Sequence, residues 1–366
     1  MSHEFYSLKI ENLTRETPDA VTLHLTVPEN LKETFEYKSG QYLTIRFTLK
    51  GKEERRSYSM SSAPHENKLS FTVKKVSGGL VSTHILENLK VNDTIEVMAP
   101  EGRFVLQTNF DKGKTYYFVA AGSGITPVIS HIKTLLEFEP QSCIFLLYGN
   151  RNEQSIIFRQ QLDTLQQFYR GQLYVDHILS QAKREKSSGL GGLFSKGTLT
   201  WQGKTGRINS KVFETFLDEN PPRHKELEHI ICGPGKMIED ITNYLLNKGV
   251  DKKQIHKEYF SIDVTPNHAS DKNSVDSILI AHLDGEVIET KISAGKTILE
   301  TLVSLKKNPP YSCTSGACST CMAKVLNGTV EMDVCHALDQ DEIKQGYILT
   351  CQAKATSEQI EIDYNV

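Results

Sequence analysis

The sequence predicts three domains: an antiparallel β-barrel over 1–109, a doubly wound α/β domain over 110–265, and a compact C-terminal domain over 275–366. Three observations predict them. Alternating apolar and polar residues fill the first hundred positions. Apolar runs separated by helical patterns follow, and four of the seven cysteines crowd together near the C-terminus. A chain of 366 residues is also too long for one ordinary core.

Composition narrows the class. Hydrophobic residues at 38% and charged residues at 24% describe a soluble globular protein, and no apolar run reaches the length of a membrane span. The start, Met1 to Tyr6, lacks the basic and apolar regions of an export signal, so a cytoplasmic location is expected. Residues 275–366 carry thirteen Asp/Glu and seven Lys/Arg, a net of −6, which leaves +3 for the rest of a chain of net charge −3. That contrast fits an acidic module beside a more basic body, and chance clustering of solvated charges fits it equally well. No basic stripe suits nucleic acid.

In the first domain, Val21 to Val27, Tyr42 to Phe47 and Leu69 to Val73 alternate with period two between turn residues Pro28, Gly40, Gly51, Pro64 and Gly78-Gly79. Strands this short and regular suggest a small closed barrel, interrupted by a helix starting near Ser82. From Thr115 the pattern changes. Tyr116 to Ala121, Ile144 to Tyr148, Leu173 to Val175 and His229 to Cys232 are buried strands, with helices expected over Val128 to Phe138 and Ser155 to Phe168. Residues 183–206 form a Gly-, Ser- and Lys-rich insertion, and 266–274 have linker composition. Beyond the linker, Ser277 to Leu283, the turn Asp284-Gly285 and Glu286 to Ile292 make a hairpin, and Thr297 to Lys306 a helix.

The cysteines carry the most specific signal. Cys313-x4-Cys318-x2-Cys321 is followed after twenty-nine residues by Cys351, the plant-type pattern for a [2Fe–2S] cluster. Thiolates are soft donors that suit iron, and four of them supply two per metal. The residues between them (Thr314, Ser315, Gly316, Ala317, Ser319 and Thr320) are small, so the loop can wrap tightly and turn backbone N–H groups toward sulfur. A structural zinc site is the alternative, but it usually shows two Cys-x2-Cys knuckles. Tyr311-Ser312-Cys313 and Leu349-Thr350-Cys351 resemble plant-type ferredoxin flanks, which implies a β-grasp fold. Cys143 and Cys335 have no such context and read as packing residues.

Arg56-Ser57-Tyr58-Ser59 resembles the R-x-Y-S motif of the ferredoxin–NADP reductase superfamily, with Gly40-Gln41-Tyr42 before it and Pro100-Glu101-Gly102 after it. The resemblance implies a six-stranded antiparallel barrel that binds FAD. Tyr58 would lie on the flavin ring, Ser59 at its N5 edge, and Arg56 at the diphosphate. Gly79, Ser82 and Thr83 open a helix whose first N–H groups suit an anion. Taken alone, alternating Arg and Tyr on a strand are most often cross-strand partners.

Gly122-Ser123-Gly124-Ile125-Thr126-Pro127 joins a buried strand to a helix, the context a nicotinamide dinucleotide requires. Cys232-Gly233-Pro234-Gly235-Lys236-Met237 resembles the superfamily's second signature, whose cysteine lies beside the nicotinamide; a buried core cysteine is the bland reading. Arg151, Ser155 and Arg159, with Ser180 and Arg184 further on, outnumber the single carboxylate Glu153, which favours NADPH over NADH. Near the end of this domain the resemblance implies that Glu258 and an aromatic, Tyr259 or Phe260, approach the flavin. It thereby gives catalytic roles to Ser59, Cys232 and Glu258.

The domain order resembles the reductase components of multicomponent oxygenases, such as the phenylacetyl-CoA epoxidase system and those serving steroid hydroxylases or fatty-acyl desaturases. It implies electrons passing from NADPH through FAD and the [2Fe–2S] cluster to a partner oxygenase. The loop from Cys313 to Cys321 is then expected to be exposed, where that oxygenase docks. A stand-alone NAD(P)H oxidoreductase with a small acceptor, and a redox sensor, are the competing readings.

Overall fold

The computed structural model describes residues 4–185, 198–260 and 273–365. Most of the expected linker, 266–272, and the middle of the expected insertion, 186–197, lie outside the described residues.

The N-terminal sheet contains β1 (Phe5–Thr17), β2 (Ala20–Thr26), β3 (Tyr42–Leu49), β4 (Lys52–Ser59), β5 (Leu69–Lys74) and β6 (Thr94–Met98), with helix α1 (Leu80–Asn88) between β5 and β6. Its six strands run in the order β4-β3-β6-β1-β2-β5 and pair antiparallel throughout. A bridge between Met60 and Phe71 joins the end of β4 to β5 and closes the barrel. Leu8, Ile10, Leu23, Leu43, Ile45, Phe71 and Val97 fill its interior. Strand β4 is too charged to show in a hydropathy pattern. It is held by a full register with β3 and by the ion pair between Arg46 of β3 and Glu53.

The second domain is built on a parallel sheet of β7 (Thr115–Ala121), β8 (Cys143–Asn150), β9 (Leu173–Leu179), β12 (Lys204–Thr205), β13 (Leu227–Gly233) and β14 (Ile255–Tyr259). Residues Arg184–Glu185 (β10) and Thr198–Leu199 (β11) form a separate two-stranded ladder. The main order is β12-β9-β8-β7-β13-β14, so the winding reverses between β7 and β13. Helices α2 (Ile125–Phe138) and α3 (Arg159–Phe168) bring apolar side chains to one face; α4 (Ser210–Glu219) and α5 (Gly235–Asn247) cover the other. Helix α3 begins four residues later than its periodicity suggests. Phe158 takes a positive φ of 60°, and Ile156 and Ile157 before it are buried in the core, so the helix starts only at Arg159.

The third domain pairs β15 (Ser277–Leu283) with β16 (Glu286–Ile292) across the positive-φ turn Asp284-Gly285, as the sequence suggests. Helix α6 (Ile298–Ser304) is capped by the Thr297 side chain. Then come β17 (Met322–Asn327), β18 (Val330–Met332), α7 (Gln340–Lys344), β19 (Tyr347–Leu349), β20 (Ala353–Ala355) and β21 (Gln359–Asp363). The sheet order is β16-β15-β21-β17-β19, with β21 parallel to β15 in the middle, the β-grasp arrangement. Among the described residues no helix is long and apolar enough to cross a membrane.

Candidate redox site

Sequence motifs from all three domains converge. On β4, side chains alternate, so Arg56 and Tyr58 share one face while Ser57 and Ser59 share the other. Tyr58 lies 5.6 Å from Phe71, nearly parallel to it, and Arg56 pairs with Glu54 at 3.0 Å while staying half-exposed. Helix α1 starts at Gly79 with no side-chain cap, which leaves its first N–H groups open to an anion. The Ser82 hydroxyl turns inward and accepts the Val76 N–H at 3.0 Å, and Thr83 stays half-exposed on the first turn. An aromatic face, a guanidinium and an uncapped helix start fit a flavin diphosphate cofactor.

The nucleotide loops lie at the reversal of sheet order, at the C-terminal ends of β7 and β13, where ligands of doubly wound sheets bind. Gly122 has φ +56° with open space where a Cβ would stand, and its carbonyl accepts the Tyr148 hydroxyl at 3.1 Å. Gly124 is tighter: a Cβ there would lie 2.2 Å from the Cys232 carbonyl oxygen. Thr126 donates to the Ser123 carbonyl at 3.1 Å, Pro127 is buried in the first turn of α2, and that helix has no side-chain cap. Glycines that admit a close backbone at the start of a helix with no side-chain cap fit a dinucleotide. Cys232 is fully buried, and burial followed by the Glu258 charge pushes its thiol up. A Cβ on Gly233 would crowd the Met237 side chain at 2.7 Å, and Pro234 precedes α5. Beyond β8, the Ser155 hydroxyl is occupied by the Asn152 backbone; Arg159 pairs with Glu153 at 3.2 Å, and Arg151 is exposed. Phe260 packs against the domain core.

Glu258 of β14 joins these two regions. Its carboxylate accepts the Ser59 hydroxyl at 3.2 Å, and burial pushes its carboxyl up to about 8.

At the third site the four thiols fall into two pairs rather than converging on one point. Cys313 and Cys318 have their sulfurs 3.1 Å apart; Cys321 and Cys351 are hydrogen-bonded partners. The N–H groups of Ser315 and Cys318 donate to the Cys313 sulfur at 3.4 and 3.3 Å. Contact with Cys318 holds the Cys313 thiol well below its ordinary value, and the same contact with burial pushes the Cys318 thiol up, so within the pair the charge falls on Cys313. Gly316, at φ +74°, passes so close to the Val334 carbonyl that a Cβ would stand 2.6 Å away. Thr350 bonds the Cys321 carbonyl through both its N–H and its hydroxyl, at 3.1 and 3.0 Å, and so brings Cys351 alongside. Two thiol pairs fit two irons.

One expectation is corrected. The loop from Cys313 to Cys321 is not an open docking surface, because only Thr314 in it is exposed. Its hydroxyls instead meet the flavin barrel. Ser57 donates to Ser312 at 2.6 Å, and Tyr42 bonds Thr320 at 2.9 Å. Arg55, buried on β4, bonds Asn308 at 2.9 Å and lies 4.1 Å over the Tyr311 ring. Arg103 pairs with Glu342, His336 stacks on Tyr259 at 4.4 Å, and Ala317 packs on the nucleotide domain. Tyr42, Arg55, Glu101 and Thr320 have no assigned role in the sequence motifs. The only signal was that two of them sit in the motifs flanking R-x-Y-S.

Residues 7–106 match the oxidoreductase FAD-binding domain family, 118–243 the oxidoreductase NAD-binding domain and 281–356 the 2Fe-2S iron-sulfur cluster binding domain. The chain is 34% identical to a component of 1,2-phenylacetyl-CoA epoxidase from Escherichia coli, over 99% of this chain and 98% of that one. The chain belongs to the iron–sulfur flavoprotein reductases of multicomponent oxygenases. This reductase is also 30% identical to the ferredoxin reductase component of 3-ketosteroid-9-alpha-monooxygenase from Rhodococcus rhodochrous, over 98% and 96% of the two chains. In fold it resembles phthalate dioxygenase reductase, described as a modular structure for electron transfer from pyridine nucleotides to [2Fe-2S]. The TM-score is 0.58, with 22% identity and 98% of each chain covered. The reductase thus unites FAD, nicotinamide and [2Fe–2S] domains in one chain.

Proposed function

We propose that this reductase draws electrons from NADPH and delivers them singly to the oxygenase component of a multicomponent system, with a phenylacetyl-CoA epoxidase as the first partner to test. When bound, FAD accepts a hydride and releases electrons one at a time, which the [2Fe–2S] cluster carries onward. The chain's own residues arrange this. Gly122, Gly124, Thr126, Pro127, Gly233, Pro234 and Met237 shape the dinucleotide seat, with Cys232 beside the nicotinamide and Phe260 toward the flavin. Arg56, Tyr58, Gly79 and Thr83 hold the flavin, and Ser59 with Glu258 manages a proton at its edge. Cys313, Cys318, Cys321 and Cys351 hold the cluster.

The observation that carries the reading is the 2.6 Å bond from Ser57, inside the flavin motif, to Ser312, next to the first cluster cysteine. Domain limits near 109, 265 and 275 and a cytoplasmic location accord with it.

The test is reconstitution. Purified reductase mixed with the epoxidase oxygenase components and phenylacetyl-CoA should consume NADPH with formation of the ring 1,2-epoxide. No product with those components, alongside turnover with a ketosteroid or other hydroxylase, would move the reading to that partner. Full turnover with a small acceptor and no protein partner would favour a stand-alone oxidoreductase.

A further inference from the structure

Strand β3 carries Tyr42 and Thr44 as the register partners of Ser59 and Ser57, so all four side chains share one face of the β3–β4 ribbon. That face receives the cluster loop. Thr320, between Cys318 and Cys321, is buried there and has one hydroxyl proton to give. It donates to Glu101 Oε1 at 2.8 Å and therefore accepts from the Tyr42 hydroxyl at 2.9 Å. Thr44 adds a second donor to the same carboxylate oxygen at 3.2 Å. Burial keeps the Tyr42 phenol protonated, as a donor must be.

The barrel is built to present this set. Tyr42 and Glu101 exchange backbone hydrogen bonds at 2.8 and 3.0 Å, which fixes their side chains relative to each other. Gly102, at φ +118°, lets the backbone lie on the Tyr42 ring, where a Cβ would stand 2.8 Å from two ring carbons. The two motifs flanking R-x-Y-S thereby act as one device.

We propose that Tyr42, Thr320 and Glu101 form a buried hydrogen-bonded latch that docks the iron–sulfur module with its cluster loop against the flavin strand, making them positioning residues for flavin-to-cluster electron transfer. The electron-transfer half of this proposal rests on the function proposed above; the latch itself does not. Each end is a polar group that loses its partner when the module leaves, so the docked position is specific as well as close.

Isosteric variants of the full-length holoprotein test it. Thr320→Val strands two buried partners and Tyr42→Phe only removes one donor, so the first should have the larger effect. Hydrogen exchange of the resting protein should speed up in peptides spanning 311–321 and 41–45 in both variants, and Thr320→Ser should restore protection. In stopped flow, cluster reduction should slow by about tenfold or more in Thr320→Val, in keeping with the two buried hydrogen bonds it loses, while flavin reduction by NADPH keeps its rate. The double variant should be less impaired than Thr320→Val alone, because Tyr42→Phe removes one of the two polar groups that Thr320→Val strands. Tyr42→Phe leaves Thr320 beside the cluster and should leave the cluster midpoint potential and its electron paramagnetic resonance spectrum unchanged.

Unaltered exchange protection in Thr320→Val overturns the latch. Equal slowing of flavin and cluster reduction, or a potential shift in Tyr42→Phe large enough to explain its rate, overturns the positioning role. A wild-type protein whose cluster is not reduced by NADPH refutes the function proposed above, and the exchange result on resting protein still decides the latch.

Discussion

The Ser59 hydroxyl donates to the Glu258 carboxylate across 3.2 Å, tying the last residue of the flavin motif to the last strand of the nucleotide domain. Little else stabilises the charged carboxylate: burial is the main influence on it, and Ser59 only partly offsets that. The folded protein holds this proton up to about 8, whereas the unfolded chain releases it near 4.5. Glu258 therefore contributes stability that is complete below the lower value and lost as pH rises through the upper one. Across that window the loss should be on the order of a few kcal/mol. Thermal melts of Glu258→Gln should decline less with pH than wild type; parallel curves would show that the carboxyl is not held protonated.

Gly124 faces the Cys232 carbonyl with no room for a methyl group, and both partners are backbone. Gly124→Ala should therefore cost roughly 1–3 kcal/mol through overpacking. It should also raise the KM for NADPH, since the loop it displaces is the proposed dinucleotide seat. Calorimetry and steady-state kinetics read the two effects; an unchanged melting point would mean the contact relaxes freely.

Removing one thiolate separates the two halves of the electron route. Cys318→Ser should keep NADPH-driven ferricyanide reduction, which needs only the flavin, and lose cytochrome c reduction along with the visible absorbance of the cluster. Surviving cytochrome c reduction would place the exit of the chain at the flavin.

Arg151, just after β8, and Arg159, at the start of α3, are both exposed and are the candidates for a 2′-phosphate. A charge-assisted contact of about 1.5–3 kcal/mol implies that Arg151→Ala or Arg159→Ala raises the KM for NADPH about tenfold or more and leaves that for NADH unchanged. Equal effects on both nucleotides would remove the preference for NADPH.

Much of this architecture is legible from the residues. The hairpin at Asp284-Gly285 is set by a turn that only a few residues can make, and the cysteine spacing by a chemistry with few solutions. What stays hidden is of two kinds. Strand β4 reads Lys-Glu-Glu-Arg-Arg-Ser-Tyr-Ser, so its strand character comes from its register with β3 and the Arg46–Glu53 pair across it, not from apolar periodicity. The inward turn of the cluster loop depends on single hydroxyls, Ser57 to Ser312 and Tyr42 to Thr320, separated by some hundreds of residues in the chain. Periodicity within a segment carries no information about such pairs. Small residues around the cysteines therefore read only as tight wrapping of the loop, when two of them, Ser312 and Thr320, are contact residues.

The placement of β21 also sets the order of assembly. This strand follows every other element of its module in sequence, yet it lies between β15 and β17, and its Ile360 and Ile362 fill the centre of the core. Until it has been synthesised the sheet stays split, with Cys313, Cys318 and Cys321 waiting as unmetallated thiols. The barrel and the nucleotide domain, made earlier, can fold meanwhile. On the proposed cluster assignment, iron loading would follow the folding of the two earlier domains, and a cell short of cluster-assembly capacity would accumulate a folded flavoprotein with this module unfinished.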